Sequence, residues 1–230
     1  MAQPRILIVL TSHDQLGETG NKTGFWLEEL ASPYYVFVDA GAEVTLASIQ
    51  GGLPPVDPKS HLPESETEMT RRFKADAEAN EKLQNTLAIA TVDAGDYDAI
   101  FLPGGHGTMW DFPQSDLLIN LIETFDKEEK AIAAVCHAPA ALVNVKTASG
   151  VPLVKGRKVT SFTDSEERVV QLEEIVPFLL ETQLRELGAI FEGAADFQPF
   201  IQQDGNLITG QNPASSGAAA EAVLKALANR

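Results

Sequence analysis

The sequence predicts an α/β fold with a doubly wound, mostly parallel sheet and helices on both faces. Three observations lead to this prediction. Short, continuous apolar runs, typical of strands buried on both faces, alternate with longer amphipathic segments along the chain. Glycine-rich or polar turns follow several of these runs. The length of 230 residues, without an internal repeat, suits a single domain.

The first strand–helix–strand unit lies near the N-terminus. Residues 5–11 form an apolar strand, residues 25–40 a helix, and residues 43–49 a second strand. A loop rich in proline and glycine and a charged, loosely helical segment then interrupt the alternation. We interpret residues 50–90 as a small cap inserted into one domain, residues 1–230.

The alternation of strands and helices resumes in the second half of the chain. Ser115 suits the N-cap of an amphipathic helix there. Strands are predicted within residues 97–107, 131–136, 158–163 and 188–193, and after residue 206. Helices are predicted within residues 66–87, 114–130 and 169–187, from residue 137, and at the C-terminus.

The composition argues against several classes of partner. With 17 Lys and Arg against 33 Asp and Glu, the formal charge of −16 disfavours nucleic acid and anionic membranes. One cysteine cannot form an intrachain disulfide, which fits a reducing compartment. No apolar run has the length of a signal peptide core or a transmembrane helix. We therefore predict a cytoplasmic protein.

The single cysteine, Cys136, lies where a predicted strand ends and a helix begins. In open α/β sheets, ligands bind beyond the carboxyl ends of the strands, and a sharp strand-to-helix turn exposes a nucleophile there. The dipole of the following helix is expected to lower the pKa of the thiol. The alternative is a buried cysteine that packs as a small hydrophobe. The adjacent His137 favours a functional thiol.

A nucleophilic thiol needs a base, and a histidine base needs an acceptor that orients it. His137 is the candidate base. The acids that follow the next predicted strand are all candidate acceptors, and the pattern alone does not choose among Asp164, Glu166 and Glu167.

A glycine turn, PGGHG, follows the strand predicted to begin at Tyr97. It lacks the spacing of a phosphate-binding loop. Its backbone N–H groups, with the amide that follows Cys136, are candidates for an oxyanion hole. His106, within this turn, either points into the site or covers it.

Two glutamates, Glu28 and Glu29, stand in an otherwise apolar helix start, and helical phasing puts Glu29 nearer the buried face. A carboxyl group forced toward the core is partly protonated and can hydrogen-bond a thiolate or move a proton. If both glutamates are solvated, as glutamates usually are, neither takes part. The four histidines show no paired ligand spacing, so we predict neither a metal site nor a cofactor.

Four segments, LPGGHGTMWDFP, AAVCHAPAAL, KVTSFTD and TGQNPASS, resemble the DJ-1/ThiJ/PfpI superfamily of class I glutamine amidotransferase-like proteins. The long segment before the glycine turn is similar to the heat-shock-protein-31-like branch. This resemblance implies a flavodoxin-like fold, a homodimer and a glutathione-independent glyoxalase (glyoxalase III) that converts methylglyoxal, a small aldehyde, to D-lactate without a cofactor. Holdase chaperone and protein deglycase activities are also attributed to the branch.

The resemblance also implies roles for individual residues. Cys136 would be the nucleophile, His137 its partner, and Glu29 the acid that contacts the thiol and moves a proton. The third acid of the triad falls on Glu167, with Asp164 as the near alternative.

The substrate-binding side of the site is implied in the same way: the amides of Gly105 and His137 would bind the oxyanion, with His106 and Asp164 nearby. Glutamine hydrolysis is not expected, because those enzymes need a later histidine and none follows His137. Two other functions stay open. One is a redox-sensing chaperone in which Cys136 is oxidised to a sulfinate held by Glu29, and the other is a cysteine hydrolase or peptidase at the same site.

Overall fold

A computed structural model describes residues 3–229 and contains a central seven-stranded sheet. The strands are β1 (Arg5–Leu10), β2 (Glu43–Ser48), β3 (Leu87–Ala88), β4 (Ala99–Leu102), β5 (Ala131–Val135), β6 (Lys158–Val159), β7 (Ile190–Phe191), β8 (Ile201–Asp204) and β9 (Leu207–Gly210). Their order in the central sheet is β3-β2-β1-β4-β5-β9-β8, with β6 and β7 paired separately.

All neighbouring strands of the central sheet are parallel except β8 and β9, which form an antiparallel pair. The chain runs outward from β1 to β2 and β3 and then returns to β4 on the other side of β1. The predicted doubly wound, mostly parallel sheet is therefore confirmed. The reversal leaves a crevice at the carboxyl ends of β1 and β4, where ligands bind in such folds.

Helices cover both faces of the sheet, as predicted. They are α1 (Leu27–Asp39), α2 (Glu68–Ala75), α3 (Ala77–Gln84), α4 (Thr108–Asp111), α5 (Asp116–Lys127), α6 (Asp164–Val169), α7 (Leu180–Glu186) and α8 (Ser216–Ala228). Helices α1, α2, α3 and α8 bury apolar side chains in one core, whereas α4, α5 and α7 contribute to the core on the opposite face. None of the helices in residues 3–229 combines the length and apolar character needed to cross a membrane.

The continuous apolar run of β1 follows from its position between these two cores. Leu7 and Val9 join one core, whereas Ile6, Ile8 and Leu10 join the other. Because successive side chains of a strand point to opposite faces, a strand covered on both faces needs apolar residues at every position.

The segment predicted as a cap divides into parts with different positions. Residues 66–87, predicted as one helical segment, form two helices because Asp76 ends α2 and caps α3 through its side chain. Phe73 of α2 packs edge-to-face against Tyr34 of α1, with ring centroids 5.6 Å apart. Only the stretch around Pro58 lies at the cavity described below.

Two other predictions of elements were only partly right, and strands β3 and β8 were not predicted. The strand predicted within residues 158–163 is only β6 and pairs with β7 outside the central sheet. The helix predicted within residues 169–187 covers only Leu180–Glu186, because α6 begins earlier, at the Thr163 cap, and Pro177 prevents a continuous helix. Strand β8 was not predicted, since its sequence, IQQD, is that of a polar edge strand.

Candidate active site

The loops that follow β1, β4 and β5 meet at the carboxyl end of the sheet, and Cys136 lies among them. Its φ of 59° is in the left-handed region, which costs a non-glycine residue about 1–3 kcal/mol. Two hydrogen bonds hold this conformation. The Cys136 N–H donates to the Gly210 carbonyl at 2.9 Å, and the Phe162 N–H donates to the Cys136 carbonyl at 2.8 Å. The sharp strand-to-helix turn that the sequence indicated at Cys136 is therefore observed.

The glycine turn after β4 packs against the loop after β1 too closely for side chains. Gly105 has a φ of 107°, and a Cβ atom there would lie 2.4 Å from the Gly24 carbonyl oxygen. A Cβ atom on Gly104 would lie 2.8 Å from both Glu29 Oε2 and the His137 nitrogen. Glycine is therefore required at both positions to bring the backbone amides beside Cys136.

Cys136, His137 and Glu167 form a chain of contacts. His137 Nδ1 lies 3.2 Å from Cys136 Sγ, and His137 Nε2 lies 2.7 Å from Glu167 Oε2. Burial lowers the pKa of His137, and the neighbouring His106 lowers it further, against the opposing effect of Glu167. Burial alone would favour the neutral acid, but His137 and His106 hold the pKa of Glu167 well below its usual range. The site thus joins an ionised carboxylate to a neutral imidazole.

This pairing assigns the tautomer of His137. An ionised carboxylate only accepts hydrogen bonds, so His137 donates its Nε2–H to Glu167. Nδ1 then carries the free lone pair and can accept the proton of the Cys136 thiol. The geometry is that of a nucleophile, a general base and an orienting acid.

A second histidine shares the same carboxylate. His106 Nε2 lies 2.7 Å from Glu167 Oε1, and the rings of His106 and His137 have centroids 4.0 Å apart. The sequence left open whether His106 enters the site. The structure places its ring against the triad, through a contact across 61 residues that no local pattern signals.

Glu29 approaches Cys136 from α1. The Gly104 N–H donates to Glu29 Oε2 at 2.7 Å, whereas Glu29 Oε1 is buried without a hydrogen-bond partner in residues 3–229. Burial raises the pKa of Glu29 to about 8, against hydrogen bonds from Gly104 and Cys136 that favour the ionised form. The interpretation that Glu29 faces the core is confirmed. Glu28 is only partly buried and accepts a hydrogen bond from Thr67 on the cap.

The expectation that a helix start lowers the pKa of Cys136 is wrong. Burial raises the pKa of the thiol well above its usual value, and Glu29 raises it further when it is ionised. The helix after Cys136 is a 3₁₀ helix of five residues, Ala138–Leu142, whose few aligned peptide groups do not offset these effects. The resting sulfur is therefore a thiol that needs a base.

Gly105 and His137 line a cavity of about 490 Å³, and neither of their amides has an acceptor within residues 3–229. These amides are thus available to an oxyanion. Cys136 and His106 also line the cavity, whose remaining surface is largely apolar. The sequence did not single out the apolar side chains, which come from distant loops: Trp26, Phe162, Val170, Leu172 and Phe197.

Comparison with known proteins is decisive for the family. The profile of the DJ-1/PfpI family matches residues 22–226. The chain belongs to the DJ-1/PfpI family. The glutathione-independent glyoxalase HSP31 of Saccharomyces cerevisiae is 30% identical, over 100% of each chain.

Solved structures agree with this membership. The structure of glyoxalase III from Candida albicans has a TM-score of 0.90, with 32% identity over 97% of each chain. Rapid Encystment Protein 24 kDa of Francisella tularensis has a TM-score of 0.94, with 38% identity over 98% of this chain and 99% of that chain. The flavodoxin-like architecture expected for a DJ-1/PfpI protein is the one observed.

The remaining candidate acids have other partners in this DJ-1/PfpI chain. Asp164 is hydrogen-bonded by the Thr182 hydroxyl at 2.5 Å and lines no part of the cavity. Glu166 is buried and accepts hydrogen bonds from Thr163 and Phe197. Of the three acids that followed from the pattern, only Glu167 contacts His137, so the structure does not bring the expected substrate-binding residue Asp164 to the site.

The same cluster brings together potential metal ligands that sequence spacing did not reveal. One ligand atom each from His106, His137 and Glu167 lie within 4.8 Å of one another. They come from two loops and from helix α6, so no paired spacing marks them. Both histidines already use Nε2 in hydrogen bonds to Glu167.

Proposed function

We propose that this protein is a glutathione-independent glyoxalase that converts a 2-oxoaldehyde, such as methylglyoxal, and water into a 2-hydroxy acid. One observation carries the proposal: a thiol lies in a cavity between a neutral His137, oriented by Glu167, and the buried Glu29. Family relatives that are named glyoxalases and match nearly the full chain support it.

The first step in this proposal is attack of Cys136 on the aldehyde carbon. The Sγ–carbon bond forms as the thiol proton moves to His137 Nδ1, 3.2 Å away. Because the pKa of the thiol is raised, the thiolate arises in this step rather than at rest. Glu167 stabilises the imidazolium that results.

The oxygen of the attacked aldehyde becomes an oxyanion. The amides of Gly105 and His137 would bind it, since both line the cavity beside the sulfur. His137 then returns its proton to this oxygen, which gives a neutral hemithioacetal and leaves the imidazole ready for later steps.

The second step moves hydrogen between the two former carbonyl carbons. We assign the transfer between the carbons to Glu29, because its buried carboxyl group accepts a hydrogen bond from Gly104 beside Cys136 and has a pKa of about 8. A carboxyl group with a pKa of about 8 is about one-tenth ionised at pH 7, so both forms are available. The ionised form takes the proton from the first carbon to give an enediolate and delivers it to the second carbon. His137 carries the hydroxyl proton of the hemithioacetal to the oxygen of the second carbon, which leaves a thioester with a neighbouring hydroxyl group.

Hydrolysis of the thioester completes the cycle. Water adds to the thioester carbon, the carbon–sulfur bond breaks, and the sulfur of Cys136 regains a proton. The overall reaction consumes one water and needs neither glutathione nor another cofactor.

Lactate formation from methylglyoxal without glutathione tests the proposal. The wild type, Cys136→Ala and Glu29→Gln are compared with Glu28→Gln, which removes the adjacent carboxylate that contacts Thr67 instead of the sulfur. We expect activity in the wild type and Glu28→Gln, and losses on the order of 10²-fold or more in the other two. An inactive wild type, or a fully active Cys136→Ala, would overturn the assignment.

A second candidate function rests on the unpartnered Oε1 atom of Glu29. In its protonated form Glu29 can donate a hydrogen bond to an oxygen on Cys136, so two equivalents of peroxide would convert the sulfur to a sulfinate and release two waters. Mass spectrometry after mild peroxide treatment tests this redox function. A stable gain of two oxygens on Cys136 in the wild type, and over-oxidation to three in Glu29→Gln, would support it.

A further inference from the structure

The cavity is much larger than the substrate usually associated with this chemistry. Methylglyoxal has five non-hydrogen atoms and fills about the space of four waters, at roughly 30 Å³ each. The cavity of about 490 Å³ is roughly four times that volume and lies within the range of about 300–1,000 Å³ that accommodates larger ligands. A three-carbon substrate would leave most of the apolar surface in contact with water.

We propose that the preferred substrates are 2-oxoaldehydes with a bulky apolar substituent, bound by an apolar wall that consists of Phe162, Leu172 and Phe197. The inference rests on the proposed glyoxalase function and names its substrate class. The aldehyde carbon of such a compound contacts Cys136, and the substituent lies along the wall.

The apolar wall begins at the reacting groups. Phe162 is buried, and its ring centroid lies 4.4 Å from that of His137. The ring of Phe197 follows, with its centroid 6.2 Å from that of Phe162. A substituent on the ketone carbon of a substrate held at Cys136 therefore meets a continuous aromatic surface.

The outer part of the apolar wall is held in place although it lies at the mouth of the cavity. Phe197 is 43% exposed and has a left-handed φ of 61°. Its N–H donates to Glu166 at 2.7 Å, and Glu166 also accepts a hydrogen bond from Asn212 at 2.9 Å. A buried carboxylate thus fixes a strained residue whose large apolar ring is open to solvent, an arrangement typical of ligand-binding loops.

The loop that contains Leu172 also has a residue in the left-handed region. Leu172 is buried at the cavity, and the preceding Gln171 has a φ of 61°. A substituent of the size of a phenyl or cyclohexyl ring, placed between Leu172 and Phe197, removes apolar surface from water on both partners.

Steady-state kinetics with three substrates tests the inference: methylglyoxal, phenylglyoxal and cyclohexylglyoxal, which are converted with one water to lactate, mandelate and cyclohexylglycolate. The phenyl ring of phenylglyoxal is conjugated with the ketone, whereas the cyclohexyl ring has a similar size without conjugation, so the comparison isolates the effect of size. We expect kcat/KM for both bulky compounds to exceed that for methylglyoxal at least tenfold. In Phe197→Ala, the ratio of bulky to small substrate should fall at least fivefold.

The ratio is independent of the fraction of folded enzyme, so a loss of protein does not imitate the result. Leu117→Ala is the control, because Leu117 is 50% exposed on α5, away from the cavity, and its truncation should leave the ratio unchanged. Turnover of methylglyoxal with no preference for the bulky compounds would overturn this inference and leave the proposed function intact. A preference for the bulky compounds that Phe197→Ala does not reduce would overturn the proposal that the apolar wall binds the substituent. Turnover of none of the three would overturn both proposals.

Discussion

His137 donates its Nε2–H to Glu167 at 2.7 Å while its Nδ1 lies 3.2 Å from Cys136 Sγ. The imidazole therefore has one nitrogen for orientation and one for proton transfer. Because Glu167 also accepts a hydrogen bond from His106, one carboxylate orients two rings at the cavity.

Replacing this carboxylate tests its role. In Glu167→Gln only the amide oxygen can accept a hydrogen bond from a histidine. The NH₂ group would face the other Nε2–H, so two donors would meet. We expect kcat with methylglyoxal to fall by a factor on the order of 10² to 10⁴. Asp164→Asn is the control, since Asp164 contacts Thr182 instead, and it should stay within about twofold of the wild type. Equal losses in both variants would contradict the assignment of Glu167.

The raised pKa of Glu29 predicts a pH profile. If ionised Glu29 removes the substrate proton, kcat/KM rises with pH, by up to about tenfold per unit, and levels off above the pKa of about 8. The residual activity of Glu29→Gln should lack this rise. A wild-type profile that falls through pH 8 would show instead that the protonated carboxyl group is required.

The same pKa predicts a dependence of stability on pH. Glu29 is raised from 4.5 to about 8, so the folded state holds a proton that the unfolded state releases between these values. The stability associated with this proton is complete below pH 4.5 and is lost as the pH rises to about 8. In Glu29→Gln this loss is absent.

Urea unfolding at several pH values measures this difference. The free energy of unfolding of Glu29→Gln relative to the wild type should increase by at most about 1.4 kcal/mol per pH unit between pH 4.5 and 8. Glu43→Gln, at an exposed strand position, controls for the loss of one negative charge. A pH-independent difference would contradict the raised pKa.

The glycine turn predicts unequal effects of two similar substitutions. Gly41 and Gly105 both have a positive φ, but a Cβ atom on Gly41 meets nothing within 4 Å, whereas one on Gly105 lies 2.4 Å from a backbone oxygen. Gly41→Ala should cost about 1–2 kcal/mol of the free energy of unfolding and leave kcat unchanged. Gly105→Ala should cost more and also lower kcat, because the turn must move. Thermal unfolding and kinetics of both variants check this, and equal effects would contradict it.

Contiguous features of the sequence predicted much of the site. Cys136 and His137 are neighbours at a strand end, and the apolar runs identified β1, β4 and β5. The choice among three acids depended on which side of α6 faces His137, a three-dimensional relationship that the pattern does not contain. Long-range contacts such as that between His106 and Glu167 have no local signal.

The elements that were missed are those with weak patterns. Strand β8 is polar because it lies at the sheet edge, and the two-residue strand β3 is too short for an alternation to be visible. The homodimer, the single domain and the cytoplasmic location stay predictions.

The hydrogen bond from Cys136 to Gly210 determines when the site can form during synthesis of the chain. Gly210 ends β9, which is the last strand within residues 3–229 and the direct neighbour of β5 in the sheet. While β9 is still inside the ribosome, the Cys136 N–H has no Gly210 carbonyl to which it can donate. We therefore expect Cys136 to adopt its left-handed conformation only when translation is nearly complete. A ribosome-stalled chain that ends before Leu207 would then lack the assembled catalytic site.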